Sequence, residues 1–290
     1  MPTDPGFTPP PTPPLPSAPE RRAPEGAADC HFHIFGPFDR FPPSPRRPYD
    51  PPLARLEDYR PVAATLGLSR FVIVQASVYG SDNRVTEAAI GGLGRDVARG
   101  VAVLDPGAAE AEIARLDGAG FVGARFNAVS GGGTPLAALE DLAARIKPFG
   151  WHIQLYVEGD LLPELAPRLA ELPVPVVFDH MAGIPAAAGP RHPGFAALRA
   201  LLGTGRAWVK LCGYRVSAGP PYHDLAPLAR ALIEAAPERM LWGTDWPHTQ
   251  IIPPPDAGKL LDLLGAWVRD ETDWRRILVE NPETLYGFGR

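Results

Sequence analysis

The sequence predicts an α/β protein built as a (β/α)₈ barrel, the TIM-barrel architecture, from its length, its composition and the order of its apolar segments. The chain has 290 residues, of which 45% are hydrophobic and 21% are charged. That apolar fraction is sufficient for a large buried core, and α/β barrels of this length commonly fold as one domain. From residue 28 onward, short β-rich runs alternate with Ala- and Leu-rich stretches of helical period. This alternation is typical of repeated βα units.

Eight strands are expected, and each is followed by a helix. The predicted strands cover residues 27–35, 71–78, 100–104, 121–127, 150–157, 174–182, 207–213 and 239–246. The predicted helices lie near residues 55–66, 83–97, 107–118, 136–147, 160–171, 193–203, 223–236 and 256–269, and DWRRILVENPETLYGF forms a terminal helix. An open doubly wound sheet is the alternative, but it would place a glycine-rich phosphate turn after the first strand, and HIFGPFDRF is not such a turn. Eight βα units therefore favour the barrel.

The first 25 residues differ from the rest of the chain in composition. Ten prolines lie within residues 1–24, and proline runs favour extended chain without supplying a core. We expect residues 1–25 to form a disordered tail and residues 26–290 to form the barrel domain. The tail lacks the apolar run of a signal peptide, and no apolar run approaches the ~20 residues of a membrane span.

Charge and cysteine content exclude several classes of partner. The formal net charge is -5, with both signs interspersed, so we expect neither nucleic acid nor a membrane surface as a partner. Cys30 and Cys212 are too few for a disulfide framework, which fits a cytoplasmic protein. A monomer or a small homo-oligomer is expected.

Polar residues that can perform chemistry are concentrated at the predicted strand ends. The first strand ends with Asp29, His31 and His33, which a period of two places on one face. The sixth ends in Phe178-Asp179-His180, and the eighth in Gly243-Thr244-Asp245-Trp246-Pro247-His248. The carboxyl ends of barrel strands meet at one mouth, where active sites of this fold lie. We therefore expect His31, His33, His180 and Asp245 to form one site.

HFH after the first strand, a histidine at the end of the sixth and GTDWPH at the eighth resemble the amidohydrolase superfamily. The chain is most similar to the branch that contains 2-pyrone-4,6-dicarboxylate lactonase and 4-sulfomuconolactone hydrolase. Matching runs are VIVQASVYGSDN, GARFN, DHMAG, VKLCG and the NPETLYGF ending. The resemblance spans about residues 28–290.

The resemblance implies a hydrolase that opens a lactone of a small carboxylic acid, in the catabolism of aromatic compounds. Asp245 would act as the general base toward water, and His31, His33 and His180 would polarise the carbonyl. The residues expected to bind a small anionic lactone are Tyr49, Ser77, Arg125, Tyr156 and Arg215. Metal-dependent decarboxylation of aromatic or muconate-type acids, isomerisation of a sugar lactone, and simple metabolite binding are the alternatives.

Two departures from the superfamily pattern affect the expected cofactor. Members with two metal ions use a further strand-four lysine or glutamate and a strand-five histidine, whereas strand four here offers Arg125 and Asn127. His152 lies at the beginning of strand five, at the opposite end from the site. We expect no required metal, and a single Zn²⁺ held by His31, His33 and Asp245 is the alternative.

Two arginines expected from the resemblance are also absent. The loop after GARFN reads AVSGGG, and DHMAG has Gly183 where arginine is expected. Serine and glycine cannot form the bidentate contact that a guanidinium makes with a carboxylate. The sequence therefore predicts a substrate with fewer carboxylates than the pyrone dicarboxylate.

Overall fold

A computed structural model describes residues 8–131 and 133–288 and contains a parallel sheet of eight strands in sequential order. The strands are β1 (Ala28–Phe32), β2 (Arg70–Val74), β3 (Ala98–Ala102), β4 (Phe121–Asn127), β5 (His152–Tyr156), β6 (Val176–Phe178), β7 (Ala207–Lys210) and β8 (Met240–Leu241). A backbone hydrogen bond from Cys30 to Trp242 and another from His33 to Trp246 join β1 to the β8 segment. The sheet therefore closes into a barrel, as predicted.

Helices alternate with these strands and cover the outside of the sheet. They are α1 (Leu56–Leu66), α2 (Arg84–Leu93), α3 (Glu110–Gly118), α4 (Leu139–Ile146), α5 (Leu162–Glu171), α6 (Pro193–Gly203), α7 (Ala226–Ala235), α8 (Ala257–Trp267), α9 (Glu271–Arg275) and α10 (Asn281–Tyr286). A single π-helical turn, Arg276–Glu280, joins the last two. The predicted single domain with eight βα units and a terminal helix is confirmed.

Strands β6 and β8 are shorter than predicted, and the backbone turns sharply in the segment that follows each one. His180, Met181 and Ala182 after β6 have φ values of 50°, 51° and 58°, and Asp245 after β8 has φ 56°. Non-glycine residues rarely adopt this left-handed region, and such strain is concentrated at functional sites. Two of the predicted site residues thus lie on turns rather than within strands.

A register shift in β1 changes the face on which Asp29 lies. The shift falls between Asp29 and Phe32, and bulges of this kind alter which side of a strand a residue faces. Asp29 accepts hydrogen bonds from the Tyr59 hydroxyl of α1 and from the Thr244 hydroxyl. It therefore anchors β1 to α1 and β8, and the expectation that it shares a face with His31 and His33 is wrong.

The described part of the N-terminal tail packs on the barrel, so the prediction that residues 1–25 are disordered is wrong for residues 8–25. The backbone N–H of Ser17 donates to Asp256, and that of Glu20 donates to Asp262 on α8 at 2.6 Å. The Arg21 guanidinium lies 4.5 Å from the ring centre of Trp274. Extended proline-rich chain has free backbone N–H groups wherever a residue other than proline occurs, and carboxylates near α8 accept two of them. Residues 1–7 of the predicted tail lie outside the described residues.

Within the described residues, no helix has the length and apolar character needed to cross a membrane. Cys30 and Cys212 are both buried and both free.

Candidate active site

A small polar cavity opens at the carboxyl ends of the strands. Its lining includes His33, His180, Asp245 and the five predicted substrate-binding residues Tyr49, Ser77, Arg125, Tyr156 and Arg215. Tyr49 reaches it from the long loop between β1 and α1, as expected for a βα loop on this face. His31 lies directly behind His33 and is fully buried.

The four predicted catalytic side chains meet at one point. Oδ1 of Asp245 lies 3.4 Å from Nε2 of His33 and 3.6 Å from Nε2 of His31. The other carboxylate oxygen, Oδ2, lies 3.9 Å from Nδ1 of His180. Histidines at the carboxyl ends of β1 and β6 thus lie within 3.9 Å of a single carboxylate that follows β8.

The two oxygens of Asp245 have different surroundings. Oδ2 accepts a hydrogen bond from the Tyr214 hydroxyl at 2.6 Å and another from Nε of Arg215 at 2.6 Å. Oδ1 is buried and has no hydrogen-bond donor among the described residues. Burial alone would raise the pKa of Asp245, but the Arg215 charge and the neighbouring histidines hold it well below its usual range. Asp245 is therefore ionised at neutral pH, with Oδ1 available to accept a proton.

The hydrogen bonds of His33 and His180 determine which ring nitrogen carries the proton when each ring is neutral. Nδ1 of His33 lies 2.7 Å from the Val74 carbonyl oxygen, and Nδ1 of His180 lies 3.0 Å from the Cys212 carbonyl oxygen. A carbonyl only accepts, so each Nδ1 carries the proton and each Nε2 presents a lone pair when the ring is neutral. Burial lowers the pKa of both rings, that of His180 to about 4. Neutral His33 and His180 are thus acceptors at Nε2, and the expected polarising role would require a second proton on either ring.

His31 has an acceptor near each ring nitrogen: Oδ1 of Asp179 lies 3.1 Å from its Nδ1, and Nε2 of His33 lies near its own Nε2. Its Nε2 lies 3.3 Å from the acceptor Nε2 of His33, and its Nδ1 lies 3.3 Å from Nζ of Lys210. A continuous chain of hydrogen bonds results if Lys210 donates to His31 and His31 donates to His33. In this arrangement His31 is the imidazole that presents a donor toward Asp245 and the reacting groups.

His31 contacts a buried network of polar side chains inside the barrel. Lys210, which is fully buried, donates to Oε1 of Gln154 at 2.7 Å, and Nε2 of Gln154 donates to Oδ2 of Asp179 at 3.1 Å. Burial would raise the pKa of Asp179, but His31, Lys210 and Arg125 hold it well below its usual range. The Lys210–Asp179 pair brings opposite charges together inside the barrel and leaves His31 between them.

The same atoms have the composition of a site for one divalent cation. Suitable ligand atoms of His31, His33 and Asp245 all lie within 4.8 Å of one another, and two imidazoles with a carboxylate are a common zinc donor set. Oδ1 of Asp179 is buried without a donor, 3.1 Å from Nδ1 of His31. Moving the His31 proton to Nδ1 would satisfy this oxygen and free Nε2 as a ligand, an outer contact typical of metal sites. The residues therefore fit a single ion.

Arg125 and Arg215 lie on separate walls of the cavity, and each is already bound to an internal carboxylate. Nε and Nη2 of Arg125 both lie 3.4 Å from Oδ2 of Asp179. Arg215 binds Asp245 through Nε, and its Nη1 donates to the Thr249 carbonyl at 3.2 Å. Beside Arg125, the Asn127 amide donates to the Ser77 hydroxyl at 2.8 Å. The cavity thus has a β2–β4 wall with Arg125 and a β7–β8 wall with Arg215.

The structure adds residues that the sequence did not single out. Asn127, Ser130, Thr249 and Gln250 also line the cavity, and Tyr214, Gln154 and Lys210 support its catalytic groups. Asn127 ends β4 and Gln154 lies within β5, so their positions on inward-facing strand ends could have indicated a role. Ser130, Thr249 and Gln250 lie on irregular loops, where no periodicity predicts which side chain faces the cavity.

Comparison with known proteins adds evidence independent of this geometry. Residues 28–288 match the family model described as Amidohydrolase. The chain is 37% identical to a 2-pyrone-4,6-dicarboxylate hydrolase of Comamonas testosteroni over 285 residues, which cover 93% of each chain. It is 37% identical over 274 residues to a 4-sulfomuconolactone hydrolase of Rhizobium radiobacter, covering 91% of each.

Two further similarities concern a different reaction and the fold. The chain is 34% identical to a D-galactarolactone isomerase of Agrobacterium fabrum over 277 residues, which cover 93% of this chain and 94% of that one. An apo crystal structure from Agrobacterium tumefaciens has a TM-score of 0.84 and 35% identity, covering 93% of this chain and 98% of that chain. The barrel described above is therefore shared with a solved structure over almost its entire length.

Proposed function

This chain belongs to the amidohydrolase family, and from that membership and its site we propose that it hydrolyses a lactone of a small carboxylic acid. The observation that carries the proposal is the ionised Asp245, whose unbound Oδ1 faces His31 and His33 inside a cavity lined by two arginines. A general base of this kind is what ester hydrolysis by water requires. The lactone-hydrolysing relatives support the same reaction.

In the proposed mechanism, Asp245 activates the water that attacks the lactone carbonyl. With substrate and water bound, the water donates one hydrogen to Oδ1 of Asp245 and the other to Nε2 of His33 in place of the His31 N–H, which leaves a water lone pair free for attack and the His31 N–H free for the substrate. Proton transfer to Asp245 accompanies formation of the new C–O bond. Tyr214 and Arg215 hold Oδ2, so the carboxylate does not rotate away from the water.

The negative charge that develops on the carbonyl oxygen needs fixed donors. His31 supplies the Nε2–H maintained by Lys210, and the guanidinium of Arg215 supplies a positive charge beside the reacting carboxylate. Donors already in position stabilise an oxyanion without reorganisation at the moment of reaction. Breaking the ring C–O bond then gives an alkoxide or enolate, which takes the proton from Asp245.

Arg125, with Ser77, Tyr49 and Tyr156, is proposed to bind the substrate carboxylate and orient the ring. We propose that no metal is required, because the donor chain from Lys210 through His31 is complete with the chain's own groups. If a divalent ion were bound, His31, His33 and Asp245 would hold it, and it would supply Lewis-acid polarisation. The two unpaired cysteines support a cytoplasmic location.

The relative that isomerises a lactone makes isomerisation the second candidate, because transfer of the acyl group to a substrate hydroxyl needs the same base and donors. A panel of lactones tested in ¹⁸O-labelled water separates the two. Hydrolysis incorporates the label and releases acid, whereas isomerisation does neither. Asp245→Asn should lower kcat by ~10²–10⁴, the usual scale of positioned acid–base catalysis, while Asp96→Asn on the exposed surface should not. Wild-type activity that survives Asp245→Asn would contradict the mechanism.

A further inference from the structure

The positive side chains that line the cavity outnumber the negative ones. This excess indicates how many negative charges the substrate carries. Arg125, Arg215 and Asp245 are the charged side chains among the described lining residues. Nδ1 of His33 and Nδ1 of His180 each donate to a backbone carbonyl, so one proton on each ring satisfies these contacts and the neutral rings add no charge. The lining therefore carries one net positive charge.

The distribution of contacts shows where this charge is available. Arg215 lies 2.6 Å from Asp245 and is neutralised by it at the reaction centre. Arg125 is 3.4 Å from Asp179, but Lys210 lies at the same distance from that carboxylate, so Asp179 is shared between two cations. The uncompensated charge therefore belongs to the wall that carries Arg125.

The rest of the cavity offers hydrogen bonds without charge. The lining residues Ser77, Asn127, Ser130, Thr249 and Gln250 are all neutral. These groups can bind ring oxygens and hydroxyls, but they cannot balance the charge of a second carboxylate next to the buried part of the cavity, where an unpaired charge is costly.

Position 183 explains why the cavity cannot gain another cation from the β6 turn. Gly183 has φ +67°, and a Cβ built on it would lie 2.0 Å from the carbonyl oxygen of Val157. A side chain at this position would require the β5 and β6 turns to separate. The turn is therefore closed to arginine or lysine.

We propose that the substrate is a lactone with a single carboxylate, bound by Arg125, and with uncharged substituents elsewhere. This inference rests on the proposed lactone hydrolysis and adds the charge class of the substrate. Full charge neutralisation occurs with one carboxylate, because the second guanidinium is bound to the catalytic base. A neutral lactone would leave Arg125 without its partner, and a lactone dicarboxylate would place one carboxylate against neutral groups.

Three γ-lactones that differ only in their carboxylates test the proposal: γ-butyrolactone, 5-oxotetrahydrofuran-2-carboxylate and 5-oxotetrahydrofuran-2,3-dicarboxylate. We expect kcat/KM to be at least ~10-fold higher for the monocarboxylate than for either of the others, as expected for loss or misplacement of one charge-assisted contact. Calorimetric binding of the unreactive carbocyclic analogues, cyclopentanone, 3-oxocyclopentane-1-carboxylate and 4-oxocyclopentane-1,2-dicarboxylate, should follow the same order. A preference for the dicarboxylate, or equal turnover of the neutral lactone, would overturn the inference.

A variant adds the missing charge. Ser130→Arg places a cation at a partly exposed position of the lining, and it should raise kcat/KM for the dicarboxylate relative to the monocarboxylate by ~10-fold, the worth of one added carboxylate contact. Ala111→Arg adds the same charge to the exposed face of α3 and should leave the ratio unchanged. An unchanged ratio in Ser130→Arg, with normal circular dichroism, would also count against the inference.

The two proposals fail in different ways. If none of the three lactones is opened but the monocarboxylate analogue still binds most tightly, the charge class stands and lactone hydrolysis is wrong. If lactones are opened without regard to charge, the hydrolase stands and the charge class is wrong.

Discussion

Nε of Arg215 lies 2.6 Å from Oδ2 of Asp245, so one of the two guanidinium groups that line the cavity is bound to the proposed general base. The contact faces away from Oδ1, which keeps that oxygen free of donors. One guanidinium thus holds the carboxylate ionised and oriented without occupying the oxygen that must accept the proton. This arrangement also separates the roles of Arg215 and Arg125, which the sequence treated as equivalent substrate-binding residues.

Removing this guanidinium should shift the pH dependence of catalysis as well as the rate. Burial alone raises the pKa of Asp245, and Arg215 is the leading opposing influence. In Arg215→Met the pKa of Asp245 should therefore rise, and the acidic limb of the kcat profile should move to higher pH because the base is protonated earlier. Arg125→Met is the matched control, since Arg125 contacts Asp179 rather than Asp245, and it should raise KM without moving that limb. An unmoved acidic limb in Arg215→Met would mean that Asp245 is not the group that titrates.

Most of the fold and much of the site could be predicted, because both depend on the alternation of strand and helix segments and on the residues at the strand ends. The residues at the ends of β1, β6 and β8 identified His31, His33, His180 and Asp245, since parallel strands bring their carboxyl ends together. The roles of the histidines could not be predicted in this way. They depend on which atom each Nδ1 contacts, and the carbonyls of Val74 and Cys212 belong to other strands.

Other features depend on contacts between distant parts of the chain. The sequence does not single out Lys210, yet its Nζ lies 3.3 Å from Nδ1 of His31 across the barrel. The tail was expected to be disordered because proline supplies no core, but its backbone N–H groups find carboxylates near α8. The composition of a segment shows that it has few apolar side chains for a core, but it does not show which hydrogen-bond acceptors the neighbouring surface provides.

Chelation tests the proposed metal independence. Because Lys210 and His31 supply donors without an ion, activity should survive exhaustive chelation, and the purified protein should contain well under one metal per chain. Elemental analysis of the same preparations gives the second measurement. Activity that disappears on chelation and returns with Zn²⁺ would show that the cluster works as a metal centre, with His31, His33 and Asp245 as ligands.

Removing the tail should lower the melting temperature. Deletion of residues 1–22 removes the contacts of Ser17 with Asp256, of Glu20 with Asp262 and of Arg21 with Glu271 and Trp274. At ~1 kcal/mol for each of the three attachments, Tm should fall by about 5–10 °C. Turnover well below the transition should be unchanged, because no described tail residue lines the catalytic cavity.

Arg21→Gln is the point variant matched to this deletion, and it should give only a fraction of the effect because the backbone contacts remain. Thermal unfolding followed by circular dichroism measures all three proteins. An unchanged Tm in the deletion would show that the attachment contributes no net stability.

Buried neutral histidines should make the fold sensitive to acid. Burial lowers the pKa of His180 and His248 to about 4 and that of His152 to about 3, whereas an unfolded chain has histidines near pKa ~6.5. Below that pH the unfolded state binds more protons than the folded state, so the free energy of unfolding should fall as the pH drops from about 6.5 toward 4. Replacing one of these histidines should remove its contribution to the fall in the free energy of unfolding.

His248→Asn is suited to this measurement because His248 has φ 61° and asparagine tolerates the left-handed region. Between pH 7 and pH 4.5, urea unfolding of the variant should lose up to ~2–3 kcal/mol less than the wild type, as about 1.4 kcal/mol per pH unit accumulates below the unfolded pKa. His223→Asn, on the exposed surface, is the control and should follow the wild type. Because the comparison is between two pH values, any loss of packing in His248→Asn cancels, and only the linked protons remain. Equal losses in wild type and His248→Asn would mean that this ring already binds its proton in the folded protein.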